Sequence, residues 1–313
     1  MKRPLLVIAG PTGVGKTATA VALAKRVPLE VISADSRQVY RGMDVATGKP
    51  TAGERRAVAH HLIDVVDPDE RYHAARFRSD AATLVAAIHG RGRLPAVVGG
   101  TGLYIRALLR GLDPAPPADP VFRHDMTALA AREGPAALHA RLSRQAPSLA
   151  HRLHPNDTVR LIRALERLRA GGGVATQHER WREARSREYD VVSVGLTMER
   201  SGLRRRLADR AAAMVAAGLA DEVYHLLARG YDTELPSMQG IGYREFVQVA
   251  RGTLSAEQAL RLMQRETMRY AKRQWTWFAR EPDVQWLDID LAGGPEGAAA
   301  VVERRLREGG FLE

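Results

Sequence analysis

Residues 10–17 read Gly-Pro-Thr-Gly-Val-Gly-Lys-Thr and directly follow an apolar run at residues 5–9. This is the pattern of a phosphate-binding loop between a strand and a helix. Glycines let the backbone turn its N–H groups inward, the following helix at 18–26 adds its dipole, and Lys16 supplies a full positive charge. We expect a di- or triphosphate to bind here, through Gly10, Pro11, Thr12, Gly13, Val14, Gly15, Lys16 and Thr17.

A magnesium ion is the expected cofactor of this loop. The Thr17 hydroxyl is placed to bind a Mg²⁺ that bridges phosphate oxygens. The paired histidines at residues 60 and 61 are better explained as a hydrogen-bonded feature than as a metal site, because no further ligands follow at suitable spacing.

Composition narrows the class of protein. The 313-residue chain has no cysteine, which excludes disulfides and thiolate chemistry. No apolar stretch approaches membrane-spanning length and no signal peptide is evident, so we expect a cytoplasmic protein with no membrane contact. A net charge of +11 favours a polyanionic partner such as nucleic acid. The abundance of arginine and alanine, typical of a GC-rich genome, is the alternative source of that charge.

Strands and helices alternate through the first part of the chain. Apolar strands at 29–32 and 94–98 run into polar or glycine-rich segments, and residues 74–89 between them have helical periodicity. This order predicts a P-loop-containing, doubly wound parallel sheet of the α/β class, with its polar strand ends at one edge.

The pattern changes after residue 113, because residues 121–169 have helical periodicity and no strand. A strand returns at 191–196, followed by helices at 200–217, 220–228 and 243–250. Ser255 and Gln258 then form a capping-box start for a helix reaching about residue 279. We predict a catalytic core at 1–113 and 191–313 and an inserted, mainly helical second domain at 114–190.

Two polar residues at the strand ends are candidates for chemistry. Asp35 could accept a proton from a nucleophile, but its position also suits a magnesium ligand or a turn-capping carboxylate. Thr101 could cap the following helix or bind a substrate where glycines allow close approach. The third strand ends in glycine rather than in aspartate, which argues against a nucleotide-hydrolysing motor.

The segment at residues 270–278 interleaves basic and aromatic side chains, a combination suited to phosphates and stacked bases. Helical spacing supports burial of the aromatics in the core equally well.

Taken together, the sequence resembles the bacterial tRNA dimethylallyltransferases, also called tRNA isopentenyltransferases, which modify the adenine next to the anticodon. The matching motifs follow the family's order over nearly the whole chain. They lie at residues 10–17, 33–44, 60–64, 99–104, 156–166, 239–245 and 271–278. The segment at 45–50 departs slightly from the usual sequence of the family.

The resemblance implies that the loop holds the pyrophosphate of dimethylallyl diphosphate. The attacking atom is then N6 of adenine 37 in tRNAs that read codons beginning with U. Asp35 would take the proton, Thr101 would contact the base, and Lys16 with Mg²⁺ would stabilise the leaving group. Arg210 is implied as a further phosphate clamp.

The resemblance also implies that the adenine leaves its stack and enters a pocket between the sheet domain and the insertion. The partners are the tRNA anticodon stem-loop and dimethylallyl diphosphate, and we expect a monomer with no obligate protein partner. The implied tRNA-binding residues are Asp35, Ser36, Arg37, Gln38, Thr101, Arg123, Val159, Arg160, Leu161, Ile162, Arg163, Gln239, Gly240, Ile241, Gly242, Tyr243 and Arg244.

Alternatives share parts of these signals. A P-loop kinase of a small metabolite has the same loop and fold but leaves the basic second domain unexplained. A prenyltransferase acting on free adenine nucleotides would share the donor site, and a non-catalytic RNA-binding GTPase or ATPase would share the loop. ATP itself presents a polyphosphate that the loop could bind.

Overall fold

The computed structural model describes residues 2–112, 116–171, 181 and 188–312. The chain divides into two compact units, the first formed by residues 1–109 and 186–313 and the second by residues 110–185. These limits lie a few residues before the predicted ones. Residues 113–115, at the predicted start of the inserted domain, and residues 172–180 and 182–187 lie outside the described residues.

The first unit is built on a six-stranded parallel sheet. The strands are β1 (Arg3–Ala9), β2 (Leu29–Ser33), β3 (His60–His61), β4 (Leu94–Gly99), β5 (Tyr189–Thr197) and β6 (Gln285–Asp288). Their order across the sheet is β3-β2-β4-β1-β5-β6, and every pairing is parallel. The predicted α/β class and parallel sheet are confirmed. The two edge strands, β3 and β6, were not predicted, because each is short and without a clear apolar run.

Helices with described bounds follow the strands and fill the second unit. In chain order they are α1 (Lys16–Ala24), α2 (Ala52–Ala57), α3 (Ala74–Gly90), α4 (Gly102–Arg110), α5 (Pro120–Glu133), α6 (Pro135–Gln145), α7 (Pro147–Ala150), α8 (Thr158–Arg169), α9 (Arg200–Ala216), α10 (Leu219–Ala228), α11 (Tyr243–Ala250), α12 (Ala256–Phe278) and α13 (Gly294–Glu308).

Several helix ends follow the sequence signals. Ser255 and Gln258 form the predicted capping box of α12, with the Gln258 N–H donating to the Ser255 hydroxyl oxygen at 3.1 Å. Helix α13 was not predicted, although Pro295 in its first turn is a common start signal. It packs on α1 and contributes Ala298, Ala299 and Val302 to the core around β1 and β4.

The second unit is helical throughout its described elements and has its own core. Leu138, Leu142 and Leu161 lie fully buried there, together with Phe122. Asp119 begins α5 by accepting a hydrogen bond of 3.0 Å from the Phe122 N–H. Burial of these side chains against one another supplies the unit with an apolar centre independent of the sheet.

Within the described residues, no single helix has the length and apolarity needed to cross a membrane. Helices α9 and α10 meet those criteria only when taken together as a bent pair.

Candidate active site

The phosphate-binding loop joins β1 to α1 and depends on glycine at three positions. Gly10, Gly13 and Gly15 have φ values of 140°, 78° and 110°, which L side chains rarely adopt. A Cβ at Gly10 would lie 2.5 Å from the Leu196 carbonyl oxygen. The loop therefore lies against the end of β5, where a side chain at Gly10 would clash.

Lys16 lies at the first position of α1, beside the loop. Its Nζ donates a hydrogen bond of 2.8 Å to the Pro11 carbonyl oxygen. Burial lowers its pKa to about 8, the negative charge of Asp35 raises the pKa in part, and the positive charge of Arg210 lowers it further. An anion bound beside Lys16 would offset this loss of solvation.

A cavity of about 630 Å³ opens over the loop, and we call it the loop cavity. It is lined by Lys16, Thr17, Asp35, Arg206 and Arg210, among others. Four cationic side chains line it, those of Lys16, Lys49, Arg206 and Arg210, and together with the glycine-rich loop they suit a polyphosphate.

A second cavity, of about 320 Å³, adjoins the first, and we call it the Tyr270 cavity. Its apolar lining includes Leu207, Met214 and Met263, and its polar lining includes Gln239 and Tyr270. Five residues line both cavities, so they mark the boundary: Thr12, Asp35, Thr47, Arg210 and Met214.

Asp35 follows β2 and begins a tight turn. One carboxylate oxygen, Oδ1, accepts hydrogen bonds from the backbone N–H groups of Arg37, at 2.8 Å, and Gln38, at 3.4 Å. The turn-capping role considered from the sequence is therefore present. Because Asp35 also lines both cavities, this cap holds a carboxylate at their boundary.

Thr101 follows β4 and lies against the same turn. Its hydroxyl oxygen accepts a hydrogen bond of 3.0 Å from the Ser36 N–H, and its own N–H donates to the Ala34 carbonyl oxygen at 3.0 Å. A Cβ at Gly99 would lie 2.2 Å from that carbonyl oxygen, so glycine allows the two strand ends to approach.

Tyr270 on α12 lines the Tyr270 cavity together with Asp35. Burial and the negative charge of Asp35 raise the pKa of Tyr270 to about 12, while Arg37 and a hydrogen bond with Thr101 act in the opposite direction. Tyr270 is therefore neutral at ordinary pH and available as a hydrogen-bonding group.

Arg210 on α9 points its guanidinium at the loop of residues 47 and 48. Its Nη2 donates to the Gly48 carbonyl oxygen at 3.4 Å, and burial lowers its pKa from the usual value. Gln38 binds the same segment, donating to the Gly48 carbonyl oxygen at 3.1 Å and accepting from the Ser33 hydroxyl at 3.0 Å. Gln38 thus lines the loop cavity and not the Tyr270 cavity, and its amide is used in holding the backbone.

The residues around Thr17 fit a magnesium ion held largely by phosphate oxygens and water. Thr17 lines the loop cavity together with the carboxylates of Asp35, Asp44 and Glu54. Among the described residues no three acidic or histidine side chains form a ready-made metal site. His60 and His61 instead bind Val58 and Glu30, as expected for a hydrogen-bonded pair.

Several of the residues that were predicted to contact tRNA are buried in the structure, which corrects those predictions. Leu161 and Ile162 are 0% and 8% exposed and pack in the core of the second unit, because α8 turns that face inward. Tyr243 is buried, and its hydroxyl donates to Glu222 at 2.7 Å. Gly240 and Gly242 are buried as well, whereas Gln239 is exposed and Ile241 and Arg244 are half-buried.

The predicted arginine contacts of the second unit are of two kinds. Arg123 and Arg163 both bind Glu166, which is almost fully buried, and Arg123 does so through bonds of 2.9 and 2.8 Å. Arg160 and Val159 are exposed on the outer face of α8. The outer pair is therefore the more accessible, with Arg160 64% exposed and ion-paired to Asp157 at 3.4 Å, whereas Arg123 and Arg163 are 37% and 35% exposed.

The sequence left open whether the aromatic side chains at residues 270–278 of α12 are buried in the core or available to a ligand, and the structure contains both kinds. Phe278 is buried, Trp275 is half-exposed, and Tyr270 lines a cavity. Trp277 packs on the start of α4, where a Cβ at Gly102 would lie 2.1 Å from its Nε1, and Arg106 covers its ring at 4.2 Å.

Comparison with known proteins agrees with this geometry. A family model described as IPP transferase matches residues 38–281, and one described as isopentenyl transferase matches residues 3–65. The chain belongs to this family. The tRNA dimethylallyltransferase of Desulforudis audaxviator is 47% identical over 95% of each chain, and that of Thermomicrobium roseum is 46% identical over 98% of this chain and 93% of its own.

Two solved structures of this family share the fold. The tRNA isopentenylpyrophosphate transferase of Bacillus halodurans matches with 42% identity and a TM-score of 0.73, covering 99% of both chains. A eukaryotic dimethylallyltransferase acting on tRNA matches with 28% identity and a TM-score of 0.74, covering 91% of this chain and 74% of its own. The resemblance stated from the sequence is confirmed, and the chain is an enzyme of the prenyl-transferring class.

Proposed function

We propose that this protein transfers the dimethylallyl group of dimethylallyl diphosphate to N6 of adenine 37, next to the anticodon of tRNAs that read codons beginning with U. The observation that carries the proposal is the position of Asp35 on the boundary of two cavities. One cavity has a phosphate-binding loop, and the other has apolar and hydrogen-bonding walls. A donor and an acceptor held on either side of one carboxylate are arranged for transfer with proton removal.

The donor diphosphate fits the loop cavity. Lys16 and Arg210 carry positive charge toward it, and both are partly desolvated by the protein, so charge on the departing diphosphate is stabilised where water is scarce. We assign the loop residues 10–17 and Arg210 to diphosphate binding. A Mg²⁺ ion at Thr17 would supply further neutralisation of the leaving group when bound.

The acceptor adenine fits the Tyr270 cavity. Adenine N6 is a weak nucleophile because its lone pair is delocalised into the ring. As N6 forms its bond to C1 of the dimethylallyl group, the bond from C1 to the diphosphate oxygen breaks and its electron pair leaves with diphosphate. The proton released from N6 passes to Asp35, and we assign contact with the base to Thr101, whose hydroxyl hydrogen-bonds Tyr270 of that cavity.

The RNA is the natural polyanionic partner of a chain with charge +11. We propose the anticodon stem-loop as the bound part, with Arg160 of the second unit and Gln239 and Arg244 of the first unit among its contacts. A tRNA substrate also favours a cytoplasmic location.

The proposal is tested by incubating the protein with labelled dimethylallyl diphosphate and an unmodified anticodon stem-loop. We expect label on N6 of adenine 37 and none on a stem-loop with guanine there. Parallel reactions contain AMP, or ATP with small-metabolite acceptors. Transfer to AMP alone, or ATP consumption without prenyl transfer, would contradict the proposal.

A further inference from the structure

A buried glutamine on α12 joins the two sides of the site. Gln274 is 6% exposed. Its Oε1 accepts a hydrogen bond of 2.8 Å from the Thr12 N–H, and its Nε2 donates one of 2.9 Å to the Gly100 carbonyl oxygen. A single side chain therefore bridges the phosphate-binding loop and the turn after β4, residues that lie far apart in sequence.

The two ends of this bridge belong to opposite halves of the proposed reaction. Thr12 lies in the loop assigned to the diphosphate. Gly100 directly precedes Thr101, whose hydroxyl binds the Ser36 N–H next to Asp35. Hydrogen bonds and adjacent peptide units thus connect the donor loop, through Gln274, to the turn that carries the acceptor-side groups.

The local sequence makes room for the bridge. A Cβ at Gly100 would lie 2.1 Å from Gln274 Nε2, so the amide occupies the space that a side chain would fill. The primary amide matches its surroundings chemically, since it accepts from one backbone group and donates to another. Methionine has similar length but cannot donate and accepts only weakly, and a glutamate carboxylate can only accept.

Both polar atoms of the Gln274 amide are hydrogen-bonded to backbone groups. Gln274 therefore acts by holding the backbone and not by contacting the reactants. The Thr12 N–H is likewise engaged by Gln274, unlike the inward-pointing loop amides expected from the sequence. Tyr270, one helical turn earlier on α12, lines the Tyr270 cavity beside Asp35. One face of α12 therefore contacts the acceptor side through Tyr270 and both sides through Gln274.

We propose that Gln274 is a positioning residue that fixes the spacing between the donor loop and the acceptor turn, and so the distance over which the dimethylallyl group is transferred. This inference rests on the proposed function. Loss of the bridge leaves both binding sites in place but relaxes their relative position, which lowers the rate of the chemical step more than the affinity for either substrate.

The test compares Gln274→Met with Gln264→Met, a matched control on the same helix. Gln264 donates a hydrogen bond of 3.3 Å to the Ala208 carbonyl oxygen and lines neither cavity. With donor and stem-loop both saturating, we expect the single-turnover rate constant of Gln274→Met to fall at least about tenfold. The dissociation constants for inorganic diphosphate and for the stem-loop should change less than about threefold, and Gln264→Met should match the wild type.

The single-turnover rate constant separates positioning from folding, because misfolded molecules lower the amplitude of the reaction and not its rate constant. An unchanged rate constant, or a loss confined to the amplitude, would overturn the proposal. If Gln274→Met does not fold, Gln274→Glu keeps the acceptor for Thr12 and loses the donor to Gly100, and the same fall is expected. A wild-type protein that transfers no prenyl group would instead refute the proposed function.

Discussion

The Thr101 hydroxyl accepts a hydrogen bond of 3.0 Å from the backbone N–H of Ser36. This bond joins the turn after β4 to the turn after β2, so two neighbouring strands of the sheet present their polar ends as one unit. Asp35 and Thr101 are thus held in neighbouring turns by this hydrogen bond to the Thr101 side chain and by Gly99, which permits the close approach. The site is therefore a property of the sheet edge, as expected for parallel α/β proteins.

Asp35→Asn separates the two roles of this carboxylate. The asparagine oxygen can still accept from the Arg37 N–H, so the turn is preserved, but the amide cannot take up a proton. We expect the single-turnover rate to fall by roughly two to four orders of magnitude, with stem-loop affinity nearly unchanged. Rapid-quench kinetics with labelled donor measure the rate. A near-normal rate in Asp35→Asn would remove the role of general base.

Donor binding should depend on pH through Lys16. Its pKa is lowered to about 8, so the side chain is charged below that pH and becomes neutral above it. Because diphosphate binds the charged form more tightly, its dissociation constant should rise as the pH increases beyond about 8. Calorimetric titrations across this range would detect the rise. Lys16→Arg keeps its charge and should lack this step, and identical profiles for the two proteins would contradict the assignment.

Arg210 should contribute to donor affinity through a partly desolvated charge. We expect Arg210→Met to weaken inorganic diphosphate binding by about ten- to hundredfold, the range for loss of a hydrogen bond to a charged group. Arg204→Met on the same helix is the matched control, since Arg204 is exposed and lines neither cavity. Equal dissociation constants for the two variants would argue against a diphosphate contact at Arg210.

The sequence predicted the four central strands and their polar ends, but not the edge strands β3 and β6, because the central strands have clear local patterns. The loop at 10–17, Asp35 and Thr101 each follow an apolar strand, and parallel strands bring such ends to one edge. Gln274 was not singled out as a site residue, since its importance comes from Thr12 and Gly100, which lie distant in the chain. The sequence around a helical glutamine gives no indication that its side chain bridges two distant segments.

The sequence also did not reveal which residues of the predicted RNA-binding segments are buried. The family motif at 159–163 identified α8, but its helical repeat turns Leu161 and Ile162 into the core and leaves Val159 and Arg160 outside. The resemblance likewise implied RNA contacts for both Arg160 and Arg163, although Arg163 binds the buried Glu166. Neighbouring residues of one helical motif therefore differ in role. Those on the inner face pack in the core, and those on the outer face are accessible for binding.

Glu166 should stabilise the second unit. Burial alone would raise its pKa, but the pKa is lowered to about 2 because hydrogen bonds from Arg123, Arg163 and the Asp119 backbone N–H, together with the charge of Arg123, outweigh burial. Since the folded pKa lies below the usual value, this stabilisation is present above about pH 4.5 and is lost as the pH falls toward 2. We expect Glu166→Gln to lower the free energy of unfolding by about 1 to 3 kcal/mol at neutral pH. Denaturant unfolding at neutral and acidic pH would reveal a difference that shrinks with acidity, and a constant difference would contradict this account.

Arg160 and Arg163 should respond differently in RNA binding. Arg160 is exposed on α8, with 64% of its side chain accessible and Asp157 at 3.4 Å, so its guanidinium can exchange that partner for a phosphate. We expect Arg160→Ala to reduce the slope of log affinity against log salt by about one unit, as loss of one phosphate contact predicts. Arg163→Ala should mainly lower the thermal stability of the protein, because its guanidinium binds Glu166 and the Pro116 carbonyl oxygen. Fluorescence titrations of a labelled stem-loop over a range of salt concentrations provide the slopes. A reduced slope in Arg163→Ala with no loss of stability would show instead that Arg163 leaves Glu166 to bind the RNA.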